Sequence, residues 1–209
     1  MFTPLFEPIP RTEGDTIRKQ FEDYGHVNIS GLVDLVLLED AIRDIEDLSS
    51  PLNTSNVGNR ETITQLRTLD PDKHEALHKI LQGIQEGAVI LGHDVVPPEG
   101  EGAYRLDLIE MEPKTRGPYQ GRSVTFSGGA IAIANLGGPS NMSMKSVEGT
   151  KGADYFMRTG NVMFEDLEKN LRHRSYTGSK LQTVLTVTNL TPRVLENYPV
   201  TDTSRQNAT

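Results

Sequence analysis

The chain has 209 residues, with 21 Lys and Arg against 29 Asp and Glu, so its formal net charge is −8 at pH 7. Hydrophobic residues make up 35% of it, and 19 Gly with 12 Pro are typical of a globular chain with many loops. The sequence contains no Cys, which excludes disulfides, thiolate metal ligands and Cys nucleophiles. Its acidic balance argues against nucleic acid as the main partner.

The sequence has no run of about 20 apolar residues, so no membrane-spanning helix is predicted. Residues 1–8 lack the basic start and apolar stretch of a signal peptide, and we therefore expect a cytoplasmic protein. The length favours a single domain over residues 1–209. Within it we expect a helical part over 12–91, a β core over 103–190 and a polar tail over 192–209.

The first predicted elements are a helix, a strand and a second helix. Asp15 can cap the first helix, and Gly25 can end it. Residues 26–30 alternate as in a half-buried strand. Asp34 can cap the second helix, whose apolar residues recur at three- and four-residue spacing: Leu37, Leu38, Ala41, Ile42, Ile45 and Leu48.

A long polar stretch and a third helix are predicted next. Residues 49–70 have the composition of a loop. Asp70 can cap the third helix and Pro71 suits its first position, so we expect this helix to run to about Gln85. A separate buried run is expected over 88–91.

From residue 103 the hydrophobic period changes from 3.6 to 2, which indicates strands. Gly and Pro turns separate seven of them, at 104–111, 122–126, 130–135, 142–145, 155–158, 162–164 and 181–189. Short strands at this spacing are typical of a β-sandwich or barrel. Helices followed by strands predict an α+β fold in which the helices cover one outer face of the β core.

His74 and His78 belong to a His-Glu-x-x-His sequence, which on a helix can place two imidazoles toward one zinc ion with Glu75 as general base. On a helical wheel, however, Glu75 lies opposite the apolar stripe and faces solvent. An ordinary amphipathic helix is the favoured interpretation, and a zinc hydrolase is the alternative. A third zinc ligand could come from the next turn, at His93, Asp94, Glu99 or Glu101.

A resemblance to a known family appears in the second half of the chain. The order Arg-x-Gly-Asn-Val-x-Phe at 158–164, then His173, then a basic residue before a final strand resembles the C-terminal half of the Fe(II)/2-oxoglutarate-dependent oxygenases. Residues 129–138 and 142–144 are similar to the central strands of the AlkB-type and phytanoyl-hydroxylase-type members. Residues 15–48 look like that family's N-terminal buttress, so the resemblance covers about 15–190.

This resemblance implies a distorted double-stranded β-helix, which is a jelly-roll or cupin-like barrel, buttressed by the N-terminal helices. It also implies Fe(II) and 2-oxoglutarate as cofactors. His173 matches the family's distal iron-binding His. Lys180, seven residues further on, is the candidate for the cation that pairs with the C5 carboxylate of 2-oxoglutarate, and Arg174 is a second cofactor-binding candidate. Most members carry an Arg somewhat further along, where this chain has Gln182 and Thr183.

The sequence departs from the family at the first two iron ligands. The family uses His-x-Asp or His-x-Glu, and this pattern occurs nowhere in the chain. The matching segment, 117–123, carries Gln120 and Arg122 instead, and a cation beside the site repels Fe(II). In a metal-free form, Tyr119, Arg122 and His173 would line the cavity and position a substrate or move a proton.

The predicted function is therefore that of a divergent oxygenase-like protein acting on a small organic molecule in the barrel mouth. It is either a dioxygenase-like oxidoreductase or a metal-independent descendant of the isomerase or lyase type. A carboxylate-bearing substrate is expected, because inward-facing cations need a compensating anion. The alternative is a non-catalytic pseudo-enzyme that is the partner of an active relative. The expected assembly is a homodimer or a heterodimer with an active relative. The cations concerned are Arg105, Arg122, Arg172, Arg174 and Lys180.

Overall fold

The structure is a computed structural model that describes residues 5–56, 61–66, 69–95, 106–112, 130–138, 140–146, 152–166, 169–175 and 182–192. The helices in these ranges are α1 (Gly14–Tyr24), α2 (Leu38–Leu48) and α3 (Glu75–Ile90), with 3-10 turns at Leu35–Leu37 and Pro51–Asn53. The strands are β1 (Leu5–Phe6), β2 (Ile9–Pro10), β3 (His26–Ser30), β4 (Thr54–Asn56), β5 (Glu61–Gln65), β6 (His93–Val95), β7 (Leu106–Met111), β8 (Ala130–Gly137), β9 (Ser140–Ser146), β10 (Gly152–Met157), β11 (Val162–Asp166), β12 (Asn170–Ser175) and β13 (Gln182–Pro192).

Helix α1 ends at the residue predicted from the sequence, but it is not capped by the residue predicted for its beginning. Gly25 adopts φ 71°, in the left-handed region, and its N–H donates to the carbonyl of Phe21. The N-cap is Glu13, and Asp15 lies inside the first turn, where its charge favours the helix dipole. The prediction that Asp15 caps this helix is therefore wrong.

The other two helices begin later than predicted, and the predicted capping residues are not their N-caps, which are Leu37 for α2 and His74 for α3. Asp34 accepts a hydrogen bond from the Val36 N–H at 3.0 Å and thereby caps the 3-10 turn before α2. Asp70 instead closes a turn, since its carbonyl accepts from the His74 N–H and its carboxylate from the Asp72 N–H. Helix α3 also continues to Ile90 and so absorbs most of the predicted separate run.

Two sheets contain the strands. The larger has the order β2-β3-β11-β8-β13-β7-β5-β4, with β6 paired to β13, and the smaller has the order β1-β10-β9-β12. The predicted loop over 49–70 is wrong in part, because β4 and β5 form a hairpin that joins β7. Strands β1, β2, β6 and β12 were not predicted, and the predicted strand at 122–126 lies outside the described residues.

Side chains alternate between two apolar clusters across the larger sheet. On β8, Ala130, Ala132 and Ala134 pack with the helices, whereas Ile131 and Ile133 face the smaller sheet. The described chain thus has three layers: helices, larger sheet and smaller sheet. This confirms the predicted α+β class with helices on one face of the β core, while closure of the sheets into a barrel stays a prediction.

None of the helices in the described ranges is long and apolar enough to cross a membrane.

Candidate functional site between the two sheets

The described space between the sheets is apolar and rich in methionine. Its cluster contains four of the six methionines of the chain. Methionine and isoleucine fill irregular space closely, so this part of the interior is a packed core. The members of the cluster, here called the interior cluster, are Ile109, Ile131, Ile133, Met142, Met144, Ala153, Tyr155, Met157 and Met163.

A buried hydrogen-bonded group lies where β3 approaches β10. The Tyr155 Oη atom is 2.6 Å from Nδ1 of His26, and it accepts a hydrogen bond from Nε2 of Gln20 at 2.9 Å. With Gln20 donating to it, the hydroxyl can direct its own proton to His26, which fits a neutral imidazole that accepts at Nδ1. Burial lowers the pKa of His26 to about 4 and raises the pKa of Tyr155. This group is neutral near pH 7 and links α1, β3 and the smaller sheet.

Asn28 and Glu165 extend this polar region on the inner face of the larger sheet. Asn28 is fully buried, and neither polar atom of its amide has a hydrogen-bond partner among the described residues. It pairs in register with Met163 of the interior cluster, and Glu165, also fully buried, pairs with His26. These residues were not predicted as functional, because the alternation within 26–30 indicates one solvent-facing side, whereas β3 is covered on both faces.

The register of β12 decides which of its positions lie on the inner face. Arg172 pairs with Met144, and Arg174 pairs with Met142; both methionines belong to the interior cluster. His173 pairs with Ser143, which lies between them on the other face of β9. Directly paired residues of antiparallel strands share a face. Positions 172 and 174 are therefore inner positions, and position 173 is an outer one.

The other site residues predicted from the sequence are not among the described residues. Tyr119, Arg122 and Lys180 lie outside the described residues. The site roles predicted for them, and for His173 and Arg174, stay predictions.

The two histidines of the zinc alternative are occupied by other contacts. His74 precedes α3, with Nε2 3.0 Å from Oδ2 of Asp47 and Nδ1 3.1 Å from the carbonyl of Asp70. Nε2 of His78 lies 3.2 Å from Nε2 of Gln82. The side chain of Glu75 is 72% exposed and pairs with a lysine one turn on, which confirms that it faces solvent.

A surface groove between α2 and α3 has a volume of about 310 Å³. Its three cations are already paired on the protein: Arg43 with Asp40, Lys73 with Asp47 and Lys79 with Glu75. These contacts leave the groove no charge surplus that would attract a ligand. A ligand site is therefore not assigned to this groove.

Comparisons with known proteins support the fold. No family model and no curated protein matches the sequence. An oxidoreductase of the 2OG-Fe(II) oxygenase family from Burkholderia pseudomallei is similar, with a TM-score of 0.61, 14% identity, and 92% of this chain and 98% of that chain covered. A non-heme alpha ketoglutarate dependent epimerase from nogalamycin biosynthesis is also similar, with a TM-score of 0.61 and 11% identity. The match covers 84% of this chain and 81% of that chain. A prolyl hydroxylase from Trichoplax adhaerens is similar as well, with a TM-score of 0.60 and 10% identity, and the match covers 86% of this chain and 90% of that chain.

These likenesses show that the chain has the fold of the Fe(II)/2-oxoglutarate oxygenase superfamily, as its resemblance implied. The family implies Fe(II), which needs imidazole and carboxylate ligands. Within the described ranges, no three His, Cys, Asp or Glu residues are grouped to hold one ion. The inner positions of β12 carry arginines, and the sequence has no His-x-Asp or His-x-Glu. The residues that the structure describes therefore do not fit the family's iron.

Proposed function

We propose that this chain is a divergent oxygenase-like protein that binds a carboxylate-bearing small organic molecule between its two sheets. The observation that carries the proposal is the register of β12, because it supports cationic residues at inner positions beside the interior cluster. Arginine is the residue best suited to a carboxylate, since its planar guanidinium can donate two parallel hydrogen bonds.

The proposed site combines residues of β12 with segments near it in sequence. Arg174 and Lys180 bind the carboxylate. Tyr119 and Arg122 line the cavity and orient the substrate. The register of β12 puts position 173 on the outer face, so His173 is not part of this proposed site. In this arrangement the protein catalyses a metal-independent reaction of the isomerase or lyase type.

Thermal unfolding of the full chain tests this proposal. The probes are 2-oxoglutarate and succinate, each with and without Fe(II) under anaerobic conditions, and the matched control is the dimethyl ester of 2-oxoglutarate. A carboxylate at 100 times its Kd adds about 2.7 kcal/mol of stability, or roughly 5–10 °C in Tm for a chain of this size. We expect a rise with the acids and none with the ester. No rise with any acid, or an equal rise with the ester, contradicts the proposal.

The packed interior cluster favours a second candidate, a non-catalytic pseudo-enzyme that stabilises an active relative. A protein without turnover needs no open cavity, and nine buried residues fill the described space. Analytical ultracentrifugation of the chain with such a relative tests this candidate. A stable complex combined with no carboxylate binding supports it, and carboxylate binding by the isolated chain contradicts it.

A further inference from the structure

We infer that three buried asparagines, Asn28, Asn135 and Asn161, form a hydroxyl-binding site in the space between the sheets, so that the carboxylate-bearing molecule is a polyhydroxy acid. This inference rests on the proposed function and adds the substrate class to it. The three residues are here called the asparagine cluster.

The strand registers bring the asparagine cluster to one face of the larger sheet. Asn28 on β3 pairs with Met163 of β11, which belongs to the interior cluster. Asn161 precedes Met163 by two residues, so alternation along the chain gives both the same face. Asn161 also lies opposite Asn135, whose backbone N–H donates to the Asn161 carbonyl at 2.9 Å next to the paired part of β8 and β11. Opposite positions on neighbouring strands have Cβ atoms about 5 Å apart, and diagonal positions are less than about 8 Å apart, so the cluster is contiguous.

The amide of Asn135 points into the space between the sheets. Its Nδ2 atom donates to the carbonyls of Gly138 at 2.8 Å and of Met157 at 3.0 Å. Met157 belongs to β10 of the smaller sheet. These two hydrogen bonds use both protons of Nδ2, and they hold the Oδ1 atom in a fixed orientation.

Four polar atoms of the asparagine cluster are buried without a hydrogen-bond partner among the described residues. They are Nδ2 and Oδ1 of Asn28, Oδ1 of Asn135 and Nδ2 of Asn161. Asn28 and Asn135 are 0% exposed, and Asn161 is 5% exposed. Because buried polar atoms in folded proteins are nearly always hydrogen-bonded, these four call for a partner that the described chain does not supply.

The unmet atoms indicate the chemistry of that partner. They are two donors and two acceptors, and an asparagine amide carries no charge. A hydroxyl group can donate to one amide oxygen and accept from one amide nitrogen, so two hydroxyl groups match the four atoms. A carboxylate alone does not match them, since it has no proton for the two amide oxygens.

The surroundings of the asparagine cluster suit a ligand that enters from one end of the sheets. Asn161 ends the turn that follows β10, and Arg158 in the same turn is exposed. Met157 and Met163 lie beside the cluster, and the flexible thioether of methionine can rearrange to admit a ligand. Apolar walls with a few fixed polar groups are the usual form of a small-molecule site.

Isothermal titration of the full chain with gluconate, hexanoate and glucitol tests the inference. Hexanoate keeps the carboxylate without hydroxyl groups, and glucitol keeps the hydroxyl groups without the carboxylate. We expect gluconate to bind at least tenfold more tightly than hexanoate, and Asn28→Leu and Asn161→Leu each to remove this preference. Asn141→Leu, at an exposed position on the outer face of β9, is the matched control, with unchanged affinity expected. Asn28→Ala and Asn161→Ala are measured as well, because a smaller side chain cannot overfill the space if a leucine variant fails to fold.

Thermal unfolding without ligand separates binding from a role in the fold. An amide without a partner inside the protein destabilises the native state, so Asn28→Leu should leave Tm unchanged or raise it. A lower Tm in Asn28→Leu, together with unchanged affinity for gluconate, would assign this amide to the fold and overturn the inference.

Two further results overturn the inference while the proposed function survives on binding of 2-oxoglutarate or succinate. The first is gluconate binding that is absent or no tighter than that of hexanoate. The second is a preference for gluconate that every variant of the asparagine cluster retains, because the amides then bind water only. If no acid binds, the proposed function itself fails, and glucitol binding that is lost in Asn28→Leu would support the hydroxyl site alone.

Discussion

Tyr155 is the residue whose hydroxyl joins the smaller sheet to β3 and α1. Tyr155→Phe keeps the ring but removes the hydrogen bonds to His26 and Gln20. The buried imidazole then loses its partner, and we expect the free energy of unfolding to fall by about 1–3 kcal/mol. Phe156→Tyr, at the neighbouring position of β10, which is 40% exposed, should change it by less than about 0.5 kcal/mol. Urea denaturation measures both variants, and equal effects would contradict the role given to Tyr155.

His26 makes stability depend on pH. Its pKa in the folded chain, about 4, lies below the ordinary 6.5, so the unfolded chain takes up this proton first. The unfolding free energy should therefore fall as the pH decreases from about 6.5 to 4, by up to about 3 kcal/mol from this residue. Denaturation at several pH values should show a flatter dependence in His26→Gln. An equally steep dependence in that variant would show that His26 is not responsible.

Asp47 acts in a separate pH range. Hydrogen bonds from His74 and Lys73, and the charge of that lysine, lower the pKa of its carboxyl to about 2. Its contribution is present above the ordinary pKa near 4 and is lost as the pH falls toward 2. The loss of stability caused by His26 is therefore measured above pH 4, where the contribution of Asp47 is still present.

At the residue scale, the sequence predicted local conformations better than burial. Gly25 was recognised because helix ends favour a residue with positive φ. The burial of His26 and Asn28 was not predicted, because it depends on strands that come more than 100 residues later. A single sequence carries no signal for such distant pairing.

Helix α3 approaches the segment before α2 closely at Gly83. A Cβ atom at this position would overlap the carbonyl oxygen of Leu32, which is backbone and cannot rotate away. Gly83→Ala should therefore destabilise the chain by about 1–3 kcal/mol, although alanine normally stabilises a helix interior. Gln82→Ala, on the exposed side of the same helix, is the control. A Gly83→Ala protein as stable as the wild type in chemical denaturation would contradict this close packing.

Asp44 of α2 caps α3 across the helix pair. Its Oδ2 atom accepts a hydrogen bond from the Leu77 N–H at 2.9 Å. We expect Asp44→Ala to reduce the unfolding free energy by about 1 kcal/mol, the usual value of a cap. Glu46→Ala removes an exposed carboxylate from the same helix and should have little effect. If thermal denaturation shows the two variants to be equal, this contact does not act as a cap.

At the element scale, predictions succeeded where the pattern is local. The alternation that predicted 130–135 and 162–164 corresponds to β8 and β11, at the centre of the larger sheet. The hairpin β4–β5 was taken for a loop because residues 49–70 are polar, and its pairing with β7 is a long-range contact. Strand β12 was missed because its residues, Asn170–Ser175, are mostly polar or charged.

At the scale of the whole molecule, the order of the motifs along the chain predicted the fold better than any single motif did. The resemblance over about 15–190 implied the oxygenase fold, and the similar solved structures support that fold at 10–14% identity. The site was less predictable, because assigning residues of β12 to a face requires the register with β9. That register supports Arg172 and Arg174 as inner positions, whereas the resemblance had directed attention to His173.

The central claim is that this oxygenase fold binds a carboxylate rather than iron. Equilibrium dialysis of the full chain against Fe(II), under anaerobic conditions with 2-oxoglutarate present, tests it directly when iron and 2-oxoglutarate in the protein compartment are both measured. We expect bound 2-oxoglutarate without stoichiometric iron, because the inner positions of β12 carry arginines and the sequence has no His-x-Asp or His-x-Glu. One iron per chain, lost in His173→Ala, would contradict it.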